Sequence, residues 1–121
     1  MKYLAKNDPI DLFESNLKRA LMPLVVLSVL KERPMYTYEI TQTINRYYTT
    51  YDYSNALYPV IYRLLESSFV ELSHEERVGK RIRTYYNITQ PGIKYLAAAT
   101  SKLKDISKIT NQLFFVNDGT M

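Results

Sequence analysis

Lys80, Arg81 and Arg83 crowd cationic groups into a short segment that runs directly into Tyr85 and Tyr86. Ammonium and guanidinium groups meet phosphate oxygens without regard to base sequence, so a cluster of this kind suits a polyanion. The bias continues downstream: between Arg77 and Lys104 the only charged side chains are Arg77, Lys80, Arg81, Arg83, Lys94, Lys102 and Lys104. A stretch of one sign is also what a solvated face without a partner looks like, so the pattern around it has to decide. Upstream stand Ser54, Asn55, Tyr58, Tyr62 and Arg63, all hydrogen-bonding side chains in a helix-compatible segment. An Asn amide can donate and accept at once on an adenine edge, which makes Asn55 the best base reader of the set. Ser54 is equally suited to capping the helix, and Tyr58 and Tyr62 to partial burial against other aromatics. Tyr62 and Arg63, one turn further on, would approach the nucleic-acid backbone instead. Tyr36 and Tyr38 precede another helical segment, where phenol hydroxyls and free amides both favour an oxyanion, although Tyr36 fits a core position as well.

Nothing comparable supports catalysis. The one histidine, His74, stands beside Glu75 and Glu76 without a nucleophile or further ligands in its neighbourhood, and is expected to be an exposed polar residue. Cysteine is absent, which removes disulfides, thiolate chemistry and Cys-ligated metals together. With 3 glycines there is no phosphate-cradling loop, and no cofactor is called for. The 121 residues suit one folding unit, and 46% apolar residues are enough to build its core. Counting 16 basic against 12 acidic residues, 16 − 12 leaves a net charge of +4. The opening residues lack the apolar core of a secretory signal, and the longest apolar stretch, 20–30, is broken by Pro23 and Ser28 and too short for a membrane span. A cytoplasmic protein is expected.

The elements that must carry these side chains follow from hydrophobic period. Asp8-Pro9 starts a helical segment over 9–33, amphipathic at first and apolar on nearly all sides later, with Pro23 kinking or dividing it. Segment 36–48 has Tyr36, Ile40, Ile44 and Tyr47 on one face and Thr37 as its cap; 49–53 breaks the period as a turn. A third helix, capped by Ser54 or Asn55, turns Leu57, Val60, Ile61, Leu64 and Leu65 inward. Together 36–67 form a helix-turn-helix pattern. The period then changes to 2: residues 69–73 and 81–88 read as strands of a hairpin with Val78, Gly79 and Lys80 between them, so 69–88 is a basic wing. Alternation places Arg81 and Arg83 on one strand face and Ile82 and Thr84 on the other. Thr89 caps a last helix over 89–115, with Pro91 in its first turn and Leu96, Ala99, Leu103, Ile106, Thr110 and Leu113 at heptad spacing. The expected fold is mainly α with a small β-hairpin (α+β): a winged helix-turn-helix with a long C-terminal dimerisation helix.

Particular residues then carry a resemblance. Leu57-Tyr58-Pro59 within the third helix, Tyr38-Glu39-Ile40 opening the second, and Arg81, Arg83, Tyr85 and Tyr86 followed by Thr89 and Gly92 are together similar to the PadR family over residues 17–113. The chain departs from the family pattern at Ala56, where Thr is usual, at Thr37, where Gly is usual, and at Val78, where the wing tip commonly has a second Gly. The resemblance implies a transcriptional regulator, usually a repressor, that answers aromatic or cationic compounds and dimerises through its last helix.

From the residues themselves, the seam of Leu96, Ala99, Leu103, Ile106 and Leu113, extended by Phe114 and Phe115, is too apolar to stay uncovered; a second copy is expected over it, or else the chain's own core. Two recognition helices on a two-fold axis would read a pseudo-palindrome in double-stranded DNA. A small-molecule effector could enter between the first and last helices, although no tryptophan is present to sandwich it. Tyr47, Tyr48, Tyr51 and Tyr53 are expected to serve packing. The competing reading is a winged helix that binds a protein instead of a groove; RNA binding has only Tyr85 and Tyr86 in its favour.

Overall fold

The computed structural model describes residues 8–48 and 54–116, apart from the side chains of Ser54 and Asn55. Helix α1 spans Pro9–Leu30, α2 Thr37–Asn45, α3 Ser54–Glu66; strands β1 (Val70–Val78) and β2 (Arg81–Ile88) follow, and α4 closes the order at Gln90–Phe114. The Asp8 carboxylate caps α1 by accepting from the Ile10 amide at 2.8 Å, and Pro9 begins the helix where an amide would have no partner. Pro23 does not divide the segment. Its missing N–H and ring cost roughly 3 kcal/mol in a helix interior, but Met22, Val26 and Leu27 on either side are wholly buried and hold the helix on the core.

The core gathers the second half of α1, Ile40 and Ile44 of α2, and Leu57, Val60, Ile61 and Leu64 of α3, closed by Met35, Val70, Tyr86 and Leu96. The first half of α1 takes no part: Ile10, Leu12, Phe13 and Leu17 remain exposed. Helix α2 begins one residue earlier than a Thr37 cap implies, because Tyr36 occupies the cap position and the Glu39 carboxylate reaches back to its amide at 3.4 Å. Helix α3 ends with Ser68 in the left-handed region (φ 62), the Phe69 amide returning to the Leu64 carbonyl and the Ser68 amide to that of Leu65. That double return is the Schellman closure, which satisfies carbonyls the helix leaves open.

The wing is longer on its first strand than alternation indicated. β1 runs on through Glu75, Glu76 and Arg77 to Val78, paired antiparallel with β2 from Val70↔Ile88 to Val78↔Arg81. Both faces of this part of the hairpin are open to water, so backbone pairing extends it and no apolar alternation is needed. The connection shrinks to Gly79 and Lys80, with Gly79 at φ 64 as the first residue of a two-residue turn requires. An irregularity between Leu72 and His74 resets the register, leaving His74, Glu76 and Val78 opposite Tyr85, Arg83 and Arg81. On its other edge β2 is bridged to the α1–α2 connection: Met35 and Tyr86 exchange both backbone hydrogen bonds, at 3.1 and 2.9 Å.

Thr89 caps α4, accepting from the Gly92 amide at 3.0 Å while its hydroxyl donates to the Ser68 carbonyl at 2.7 Å. Leu96 packs into the chain's own core at 5% exposure, which corrects its expected place on an uncovered seam. The open part of that seam begins at Leu103 and continues through Ile106 and Leu113; Ala99 is half-buried. No helix among the described residues is long and apolar enough to cross a membrane.

Candidate nucleic-acid interface

The bridge between Met35 and Tyr86 decides how the wing meets the helices. Because Tyr86 pairs with Met35, Tyr85 and Tyr36 become neighbours, with ring centroids 5.3 Å apart. Around that contact an aromatic ladder forms: His74 stacks on Tyr85 at 4.3 Å and 11°, and Tyr36 stacks on Tyr38 at 6.2 Å and 22°. The Arg83 guanidinium lies 4.7 Å above the Tyr36 ring and 3.8 Å from the Glu76 carboxylate across the hairpin. A half-exposed ion pair contributes little, about 0–1 kcal/mol, yet with the ring below it fixes where the guanidinium stands. Lys80 and Arg81 make no ion pair among the described residues and are exposed.

Tyr58 projects from α3 towards the same place. Its hydroxyl lies 3.3 Å from that of Thr37, and its ring is 6.5 Å from that of Tyr62 one turn on. Of the two possibilities open for these tyrosines, exposure holds: 49% for Tyr58 and 60% for Tyr62. Tyr36, Tyr38, Tyr58, Arg81, Arg83 and the floor residue Tyr86 thus line a groove of about 650 Å³ between the start of α2, one flank of α3 and the wing. Burial pushes the Tyr86 phenol above its ordinary value, and the phenols of Tyr62 and Tyr58 add to the effect. It therefore stays a neutral hydroxyl while the charge of the groove is carried by the arginines.

Of the expected site residues, Tyr38, Tyr58, Arg81 and Arg83 come together in this groove, and Tyr62 borders it through Tyr58. Lys80 stands at the wing tip, and Arg63 is exposed on the opposite flank of α3, beside α1. Ser54 and Asn55 belong to the first turn of α3, but their side chains lie outside the described residues, as do Tyr51 and Tyr53. Of the tyrosines expected to serve packing, Tyr48 does so, half-buried with the Lys18 ammonium 5.3 Å from its ring, whereas Tyr47 is 80% exposed and does not. His74 is exposed, as expected, but it has a partner in Tyr85, and no cluster able to hold a metal occurs among the described residues. Sequence reasoning missed Tyr85 and Glu76 as parts of this surface. Strand alternation alone could have put Tyr85 beside Arg83; nothing in the chain announces the bridge that brings Tyr36 to them.

The model of the transcriptional regulator PadR-like family matches residues 26–98, from the buried half of α1 through the first turns of α4. The chain belongs to the PadR-like family. Its members are transcriptional regulators and not enzymes. Among solved structures, this PadR-like chain is similar to a PadR family transcriptional regulator from Eggerthella lenta, with 23% identity over 95% of this chain and 96% of that one and a TM-score of 0.80. A transcriptional regulator from Clostridium thermocellum is 27% identical, covering 80% of this chain and 96% of its own, with a TM-score of 0.73. A PadR-like regulator from Bacillus cereus shares the fold at 20% identity and a TM-score of 0.69 over 82% and 96% of the two chains. No curated protein matches. PadR-like membership makes DNA the partner class and the winged helix the architecture.

Proposed function

We propose that the chain is a cytoplasmic, homodimeric repressor that reads a pseudo-palindromic operator and leaves it when a small aromatic or cationic ligand binds. It acts as one unit, 1–121, in which 9–33 supports, 36–67 reads, 69–88 grips the backbone and 89–115 dimerises. The observation that carries this reading is the convergence of Tyr38, Tyr58, Arg81 and Arg83 beside the exposed face of α3. An α-helix fills the major groove of B-DNA, and side chains on either side of it then face phosphates. In the proposed complex Ser54, Asn55 and Tyr58 are the residues of α3 assigned to base edges. Tyr38, Tyr62 and Arg63 face the backbone, and Lys80, Arg81 and Arg83 follow it along or into the minor groove.

The dimer is supported by apolar surface: Ile106 is 54% and Leu113 72% exposed on α4, and Phe13 64% on α1. The effector is supported by a largely apolar cleft of about 590 Å³ lined by Leu24, Val25, Glu32, Tyr47, Tyr48 and Leu103 among others, in which Glu32 is the sole charged side chain among the described residues. Aromatic rings and one carboxylate in an apolar wall suit a flat organic cation.

The test is a fluorescence-anisotropy titration with the duplex upstream of the protein's own gene and with random duplex, each at two salt concentrations. Tighter, salt-sensitive binding to the upstream duplex is the expected result. A folded dimer that binds neither duplex would overturn the reading in favour of a protein-interaction module.

A further inference from the structure

Helix α3 has two flanks, and the groove described above accounts for only one. Successive residues turn by about 100°, so with Leu57, Ile61 and Leu64 buried, the solvent side of α3 is centred on Pro59, Tyr62 and Glu66, all exposed. Tyr58 and Tyr62 lie towards the wing; Ala56 and Arg63 lie on the other side, where α1 runs past. There α1 presents Ser15, Lys18 and Arg19, which with Arg63 line a crevice of about 240 Å³. Lys18 is engaged by Glu14 at 2.6 Å and by the Tyr48 ring. Arg19 and Arg63 are exposed and make no ion pair among the described residues; Arg19 is steadied by the Asn16 side chain at 3.2 Å. The two are thus positive charges that no carboxylate of the described chain neutralises.

The major groove is bounded by two phosphodiester backbones about 12 Å apart. A helix lying in it has one strand's phosphates on each side. Resting on the DNA-binding reading above, we infer that Arg19 and Arg63 form a second phosphate seat, which grips the strand opposite to the one held by Arg81 and the wing. Helix α1 then has a role in DNA binding beyond support of the core, and α3 is clamped from both sides. Serine and the guanidinium of Arg19 both donate, as backbone phosphate oxygens require. The seat adds affinity without base selectivity.

The experiment titrates the full-length protein, Arg19→Gln and Arg19→Lys against operator and random duplex over a salt series, with Arg81→Ala alongside. Arg19→Gln should weaken both duplexes roughly five- to tenfold and lower the salt slope by about one for each protomer engaged. Arg19→Lys should keep the slope. A slope unchanged in Arg19→Gln while Arg81→Ala flattens it would overturn the second seat and leave the wing standing. Failure of the unmodified protein to bind either duplex would instead overturn the DNA-binding reading, and this seat with it. Arg19 is exposed and its guanidinium bonds to Asn16 within its own helix, so loss of the fold does not confuse the outcome; matched thermal melts establish that.

Discussion

Gly92 in the first turn of α4 sits where a side chain has no room: a Cβ there would run into the Phe69 carbonyl oxygen and the Ile88 side chain. The same carbonyl accepts the Thr89 amide at 3.0 Å, so the close approach is part of the cap that starts the helix. Gly92→Ala is expected to lower stability by about 1–3 kcal/mol, the usual cost of forcing a methyl into a filled site; an unshifted denaturant midpoint would contradict this. Ser68 presents the opposite case. It holds φ 62 at the end of α3, a conformation that costs a residue with a Cβ about 1 kcal/mol and glycine almost none. Ser68→Gly should therefore raise the melting temperature by a few degrees, and a drop would mean that its side chain contributes more than its backbone suffers. Neither requirement is visible in composition, since one glycine is demanded by a neighbour distant along the chain and one helix end is closed without glycine at all.

The wing is the element whose outline sequence periodicity read least well. Alternation of apolar and polar residues reports burial of one face, and β1 beyond Leu72 buries neither face. What continues the strand is backbone pairing to β2, which side-chain pattern does not record. The basic character of β2 was, by contrast, fully legible, since Lys80, Arg81 and Arg83 are adjacent in the chain. Arg81 has no ion pair among the described residues, whereas Arg83 shares its charge with Glu76 and the Tyr36 ring. Arg81→Ala is expected to weaken operator and random DNA alike and to reduce the salt slope by about one for each protomer engaged. An unaltered slope would take the wing out of the proposed interface. The helices show the reverse balance: their starts at Pro9 and Gln90 were readable because Asp8 and Thr89 are capping residues, while the continuity of α1 through Pro23 depended on burial that only packing supplies.

At the scale of the molecule, the first half of α1 and the second half of α4, far apart in sequence, each leave several apolar side chains exposed. Ile106, Ile109, Leu113 and Phe114 are all more than half exposed, a concentration unusual for a chain meant to stand alone. For the proposed dimer, Ile106→Glu should give a monomer in sedimentation at micromolar concentration and weaken operator binding, because two half-sites could no longer be held together. A dimer that survives the substitution would place the contact elsewhere. The chain by itself determined the order of helices, the position of the hairpin and the caps at Asp8 and Thr89, because these rest on local period and cap chemistry. Only the tertiary structure decided that Leu96 belongs to the core, that Met35 bridges β2 and so sets Tyr36 against Tyr85 and Arg83, and that α1 lays Arg19 beside Arg63. Those are contacts between segments distant in sequence, and their geometry follows from which faces meet when the core closes, not from any spacing along the chain.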